Sequence, residues 1–366
     1  MIILSWLLRF RWLRPWIWRL ADTLRQWADV LSPPLRSVGA DTAVAAGAAE
    51  VAEVWSDEIW LEVPEKVFWG PYIQEGEDVD AIIERKVELE KKQGDTINFT
   101  LARQLTGDGV IEDNRMEDNE DVAAWYTDDV TLRQFRNAIR LQGRLSEKRT
   151  AFSQRKVAKR LLRDWLASFI DNRIFSTLGA SPTRAVYGGD ATSPATIESG
   201  DYLTLALLTR TKTVARKATP QIFPVMISGG EYFLQVVTPD SLHDLQIYDP
   251  AWAQAQREAQ ERGPTNPIFT GAEGIYDKVV IRSCTRVPLA TDWGSGANLN
   301  GSENLFCGKQ AGVLAFGRKP EWVEQSFDYA NKIGYAIGTI LEFTKATFNA
   351  QDNGSINVRT FRSNIS

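Results

Sequence analysis

The chain's single histidine, His243, stands beside Asp244 in DSLHDLQ, a pairing able in principle to relay a proton. Such a pair does nothing alone. A nucleophile or a metal must complete it, and a zinc site needs more nitrogen or sulfur ligands than one imidazole supplies. His243 therefore reads as a structural or surface residue. Other candidates fail on spacing: WGSGA lacks the first glycine of a GxSxG nucleophile elbow. Gly308-Lys309 is like the end of a phosphate loop, but Glu303 occupies the place of the required glycine. The acidic DNRMEDNED does not space its oxygens as a helix-loop-helix calcium site does. Cys284 and Cys307 fall in no CxxC or Cys/His pattern and are too few for a disulfide framework, which suits a reducing compartment. No catalytic constellation is complete, so neither enzyme activity nor a cofactor nor a metal is expected.

What remains is charge, arranged in two blocks. The stretch LTGDGVIEDNRMEDNED carries Asp108, Glu112, Asp113, Glu117, Asp118, Glu120 and Asp121 against Arg115 alone. A second block holds Arg144, Lys148, Arg149, Arg155, Lys156, Lys159, Arg160 and Arg163. The two are electrostatic complements. On charge alone each block reads as an independently solvated face. The alternative is a contact between copies of the chain, where Asp113, Glu117, Asp118, Glu120 and Asp121 of one would lie across Lys148, Arg149, Arg155, Lys156 and Arg160 of another, steering docking and register more than adding affinity.

Both blocks need elements to hold them. Ile97, Phe99 and Leu101 alternate with polar residues, and so do Val130 and Leu132, then Phe135, Ile139 and Leu141. These spacings predict two strands of a long hairpin, with a bulge where the phase slips between Leu132 and Phe135. The acidic tip between them is too polar to bury a core. From Ser146 to Leu178 no Pro or Gly interrupts, and Leu162, Leu166, Phe169, Ile170, Ile174 and Leu178 fall at helical spacing. One rod of roughly 50 Å is predicted, ended by Gly179 as a left-handed cap.

The strings LEKKQGDTINFTL, LTGDGV, DNEDVAAWY, RLQGRLSEKRTAF and WLASFIDNRIFSTL follow in order, and PTNPIFTGAEGIYDKVVI, LFCGKQAGVLAFGRKPEWVEQSFDYANKIGYAIG and KATFN come after them. Together they resemble the major capsid proteins of the N-four-type tailed bacteriophages, from about Val54 to near the C-terminus. The resemblance implies an α+β chain of the Hong Kong 97 phage capsid fold: an N-terminal arm (54–85), an extended hairpin loop (86–145), a peripheral domain with a long spine helix (146–199 and 318–366) and an axial domain (200–317). It also implies self-association into hexamers and pentamers, an icosahedral shell around double-stranded DNA without sequence-specific binding, and portal, scaffold or decoration proteins as partners. The place would be the virion capsid, reached by assembly in the host cytoplasm. A membrane is not an expected partner. An enzyme-packaging nanocompartment shell shares the fold and is the nearest alternative.

Composition agrees with a large soluble core: 366 residues, 43% hydrophobic and 24% charged. A net charge of -5 excludes a surface devoted mainly to gripping nucleic acid, though weak local contact stays open. Residues 1–53 lie mostly outside the resemblance. The Trp-, Leu- and Arg-rich opening, residues 1–36, could form an interfacial helix anchoring a membrane-associated hydrolase, but the missing catalytic set argues against it. It could also be an arm, or translation from an upstream start absent from the working protein, which is the expectation here.

Within the axial segment, Asp201–Arg216 and Pro250–Arg262 read as helices, and a third begins at Pro239 with Thr238 or Asp240 as its cap. Residues 222–227, 232–237, 278–283 and 305–316 read as strands. A second helix is predicted between Gly70-Pro71 and the hairpin. A late strand through Tyr335–Phe343 should return to the hairpin's base, leaving a short strand and a frayed tail after Asn349.

Overall fold

The computed structural model describes residues 67–76, 80–90, 94–102, 105, 109–150, 152–227, 230–252, 254 and 273–364, all within one unit running from Ile59 to Ser366. Expectations for residues 1–53, for the start of the arm, for Asp108 and for most of the 250–262 helix fall outside those residues. Of that helix, Pro250 to Trp252 are helical, and Trp252 is buried.

Gly70–Tyr72 makes the predicted turn as a single 3-10 turn. Among the described residues the helix predicted after it does not form. Instead β1 (Ile73–Glu75) and β2 (Ile83–Lys86) pair in parallel. Ala81, Ile82 and Ile83 are almost wholly buried, and β-branched residues enclosed by sheet and helix are better served by an extended backbone.

The hairpin arms are β3 (Thr96–Ala102) and β4 (Trp125–Thr131), antiparallel with Ile97 opposite Val130 and Leu101 opposite Tyr126. The predicted bulge is something larger. After Leu132 the chain starts β5 (Arg133–Arg140), which belongs to a different sheet. Val130 and Leu132 pack on one core cluster, whereas Phe135 packs on another, so the slip in phase marks a change of layer.

The rod is also interrupted. A short helix, α1 (Arg144–Arg149), precedes the long one, α2 (Gln154–Gly179). Between them Thr150 is extended, and its hydroxyl donates to the Glu147 carbonyl at 2.9 Å, offering the backbone an alternative to the helical bond. The 26 residues of α2 span about 39 Å. Gly179 stays helical rather than left-handed. Its value is close approach: a Cβ there would sit 2.8 Å from Pro288 Cγ.

Beyond β6 (Ala185–Tyr187) the chain builds α3 (Leu205–Lys217), β7 (Val225–Ile227), β8 (Gly230–Val237), α4 (Pro239–Tyr248), β9 (Gly274–Tyr276), β10 (Val279–Ser283), β11 (Leu289–Trp293) and β12 (Leu299–Cys307). Thr238 caps α4, its hydroxyl accepting from Ser241 N. The predicted 305–316 strand is two strands, because Gly308–Ala311 turns the chain into β13 (Gly312–Phe327). Next come β14 (Lys332–Lys345), the two-residue pair β15 (Thr347–Phe348) and β16 (Gln351–Asp352), and finally β17 (Ser355–Phe361). The short strand predicted after Asn349 forms as β17, and the described residues after it are held rather than frayed. β17 lies inside the eight-stranded sheet, between β12 and β6, and its end is pinned by Arg362 to Asp240 and by Ser363 N donating to Asp244 at 2.8 Å.

The two large sheets have different orders: β1-β2-β13-β14-β5, and β6-β17-β12-β8-β10-β9 with β11 on β12 and β7 on β8. Side chains alternate across each. Leu314, Phe316, Leu341 and Phe343 face the cluster that holds the end of α2, while Val313 and Ala315 face the β3/β4 ribbon. In the other sheet Leu234, Val236 and Leu305 meet α2 residues Ile174, Phe175 and Leu178, and Phe233, Val237 and Phe306 meet α3 and α4. The long helix thus supports both sheets. As expected, β14 pairs antiparallel with β5 at the hairpin's base.

Candidate assembly surfaces

The tip of the β3/β4 ribbon carries the predicted acidic residues into solvent. Asp113, Glu117, Asp118, Glu120 and Asp121 are all exposed, as is every residue from 111 to 123. Arg115 Nε donates to Glu117 Oε2 at 3.1 Å. Asp118 holds a left-handed backbone at φ 73°, which Asp tolerates better than most residues.

Charge was only half of this surface. Leu105, Ile111, Met116, Val122 and Trp125 are each at least 60% exposed, so apolar side chains stand among the carboxylates. The sequence signal was available in the interleaving of IEDNRMEDNEDVAAW. A patch of this kind marks an interaction site more clearly than acidity does.

The predicted cations divide between two helices. Lys148 and Arg149 lie on α1, with Arg155, Lys156 and Arg160 on the first two turns of α2, all exposed. Arg155 already pairs with Glu324 at 2.8 Å, and Arg160 stands 3.8 Å from Asp164. Among the described residues Lys148, Arg149 and Lys156 form no ion pair. They are the cations left for a partner.

A second element was not foreseen. Asp171, wholly buried on α2, accepts from Phe68 N at 2.6 Å and Trp69 N at 3.3 Å and pairs with Arg286 at 2.8 Å. Trp69 is fully buried, its ring 5.2 Å from that of Phe175. Tyr72 Oη accepts from Arg282 Nη1 at 2.8 Å. From residue 68 onward the predicted arm is therefore fastened to its own long helix. The clue was an acid three residues before Ile174 and seven before Leu178, on the buried stripe.

No helix of the described residues is long and apolar enough to cross a membrane, and no group of three or more metal-ligating side chains occurs among them. His243 is about half exposed and 4.0 Å from Asp244. Burial pushes the Cys307 thiol up to about 12 and leaves it no nucleophile near neutral pH.

A family model described as phage capsid protein matches residues 43–178 and 170–363. The major capsid protein of Pseudomonas phage KPP25 is 29% identical over 360 residues, covering 84% of this chain and 94% of that protein. Among solved structures, the capsid of Ralstonia phage GP4 is 29% identical with a TM-score of 0.77, over 89% of this chain and 99% of that one. The capsid of Cyanophage Pam1 is 21% identical with a TM-score of 0.74, over 89% and 100%.

Proposed function

The chain belongs to the phage capsid protein family, and from that premise we propose that its copies join in rings of five and six to close an icosahedral head around double-stranded DNA. The protein's role is structural. Its fold is that of phage capsids, and neither an enzyme-packaging shell nor a membrane hydrolase is favoured by its relatives.

The observation that carries the reading is the solvated ribbon tip. It sets five exposed carboxylates beside five exposed apolar side chains, while Lys148, Arg149 and Lys156 form no ion pair among the described residues. One exposed ion pair contributes roughly 0.2–1 kcal/mol, so no single contact holds such a shell. Many repeated contacts acting together do. Portal, scaffold or decoration proteins would complete the particle, and the DNA would be held without reading its sequence.

The test is negative-stain microscopy of the full chain beside a Glu117→Lys/Glu120→Lys variant, with Asp118 left alone because of its left-handed backbone. Shell yield should fall several-fold while the subunit's stability stays within about 0.5 kcal/mol, as for other surface substitutions. A variant that assembles as well as the parent would reject the docking role of the tip. Restoration of shells by adding Lys148→Glu/Lys156→Glu would identify the surface it meets.

A further inference from the structure

We propose that the outer face of α3, together with Arg184, is a seat for the phosphodiester backbone of the nucleic acid inside the shell. The inference rests on the reading that these copies enclose DNA.

The 13 residues of α3, LALLTRTKTVARK, contain four cations and no acid. Lys212 is engaged, its Nζ 2.6 Å from Asp277 Oδ1. Arg210, Arg216 and Lys217 form no ion pair among the described residues, unlike Arg155 and Arg160 of α2, which have acids within reach. The helix dipole accounts for Arg216 and Lys217 in the last turn. It does not account for Arg210, nearly two turns earlier.

Thr209, Arg210, Thr213, Val214 and Lys217 form one exposed stripe at helical spacing, and with Arg184 they line an open concavity of about 530 Å³. Arg184 comes from a separate segment, just before β6. It is fixed by a 2.7 Å bond from Nη2 to the Thr219 carbonyl, and its Nη1 is enclosed without a hydrogen-bond partner. Two independent elements thus bring cations to one hollow whose lining holds no carboxylate, although Asp352 acts on Arg184 from outside it. Thr209 and Thr213 donate their hydroxyls back to the Leu205 and Thr209 carbonyls, so the cations are the donors left for a ligand. Point charges with nothing shaped to a base edge suit binding without sequence preference.

An acidic segment of another copy is the rival occupant. The acidic tip also presents Ile111, Met116 and Val122, whereas the α3 stripe offers Val214 as its one exposed aliphatic. A ligand that is anionic throughout fits better.

The probe is a labelled random-sequence duplex titrated into the full-length protein by fluorescence anisotropy between 20 and 200 mM salt. Each neutralised phosphate contact should lower the slope of log K against log salt by about 0.9, so Arg210→Gln/Lys217→Gln should lose about 1.8. At 50 mM salt its affinity should fall at least ten-fold, and Arg210→Lys should bind like the parent. An unchanged slope in the double variant, or no binding by the parent, overturns the proposal. So does a labelled 109–125 peptide whose binding disappears in the double variant while duplex binding does not. Negative-stain images of the same preparations separate the two readings: shells without a change in duplex binding overturn the seat alone, and a parent that never forms shells overturns the capsid reading.

Discussion

One carboxylate, Asp171, joins the segment before β1, the middle of α2 and the loop after β10, and it does so in full burial. Removing it takes from Arg286, whose side chain is 12% exposed, the buried carboxylate it pairs with at 2.8 Å. Asp171→Ala should therefore lower stability by about 3–5 kcal/mol, read as a shift in the denaturant midpoint. Adding Arg286→Met should recover much of that loss, since an apolar pair costs less than half of an ionic one. The Cys307 thiol makes a pH prediction. A folded-state value raised from 9.0 to about 12 contributes stability that is complete below pH 9 and is lost as pH rises through 12. The parent's unfolding midpoint should accordingly fall more steeply over that window than that of Cys307→Ala. Little of this was legible beforehand. The sequence marks Asp171 as an acid on an apolar stripe, but its partners lie more than a hundred residues away in both directions.

At the scale of elements, local spacing carried far and failed where tertiary packing intervened. The long helix, the hairpin and the late strand were all readable from periodicity. The break at Thr150 was not, because it needs no Pro or Gly, only a hydroxyl that competes for a carbonyl. Nor was the passage from β4 to β5, where one alternating run is shared between two sheets. The end of α2 offers a contest between two effects. Gly179→Ala gains up to about 1 kcal/mol of helix propensity. It also drives a methyl into the Pro288 ring, a rigid neighbour at 2.8 Å, and such overpacking costs about 1–3 kcal/mol. A net fall in melting temperature is expected, and a rise would mean that the loop holding Pro288 yields freely. On the ribbon, charge dominates the sequence pattern and masks the interleaved apolar residues. Met116→Ser/Val122→Ser should leave the subunit's melting unchanged and reduce shell yield, as light scattering would report.

For the whole molecule, charged contacts and apolar contacts answer differently to salt. The screening length shrinks from about 10 Å at 0.1 M to about 3 Å at 1 M. If the acidic tip steers assembly, the protein concentration at which shells appear should rise across that range. A threshold that stays flat or falls would move the weight to Ile111, Met116 and Val122. The general architecture was legible because many short strings occur in a fixed order. The finer partition was not, since strands far apart in the chain share sheets. The placement of β17 has a consequence for timing. β17 follows both its neighbours in the chain yet lies between them, so β12 and β6 lack their common partner until residues 355–361 are in place. A chain cut before residue 355 would lack the keystone of that sheet.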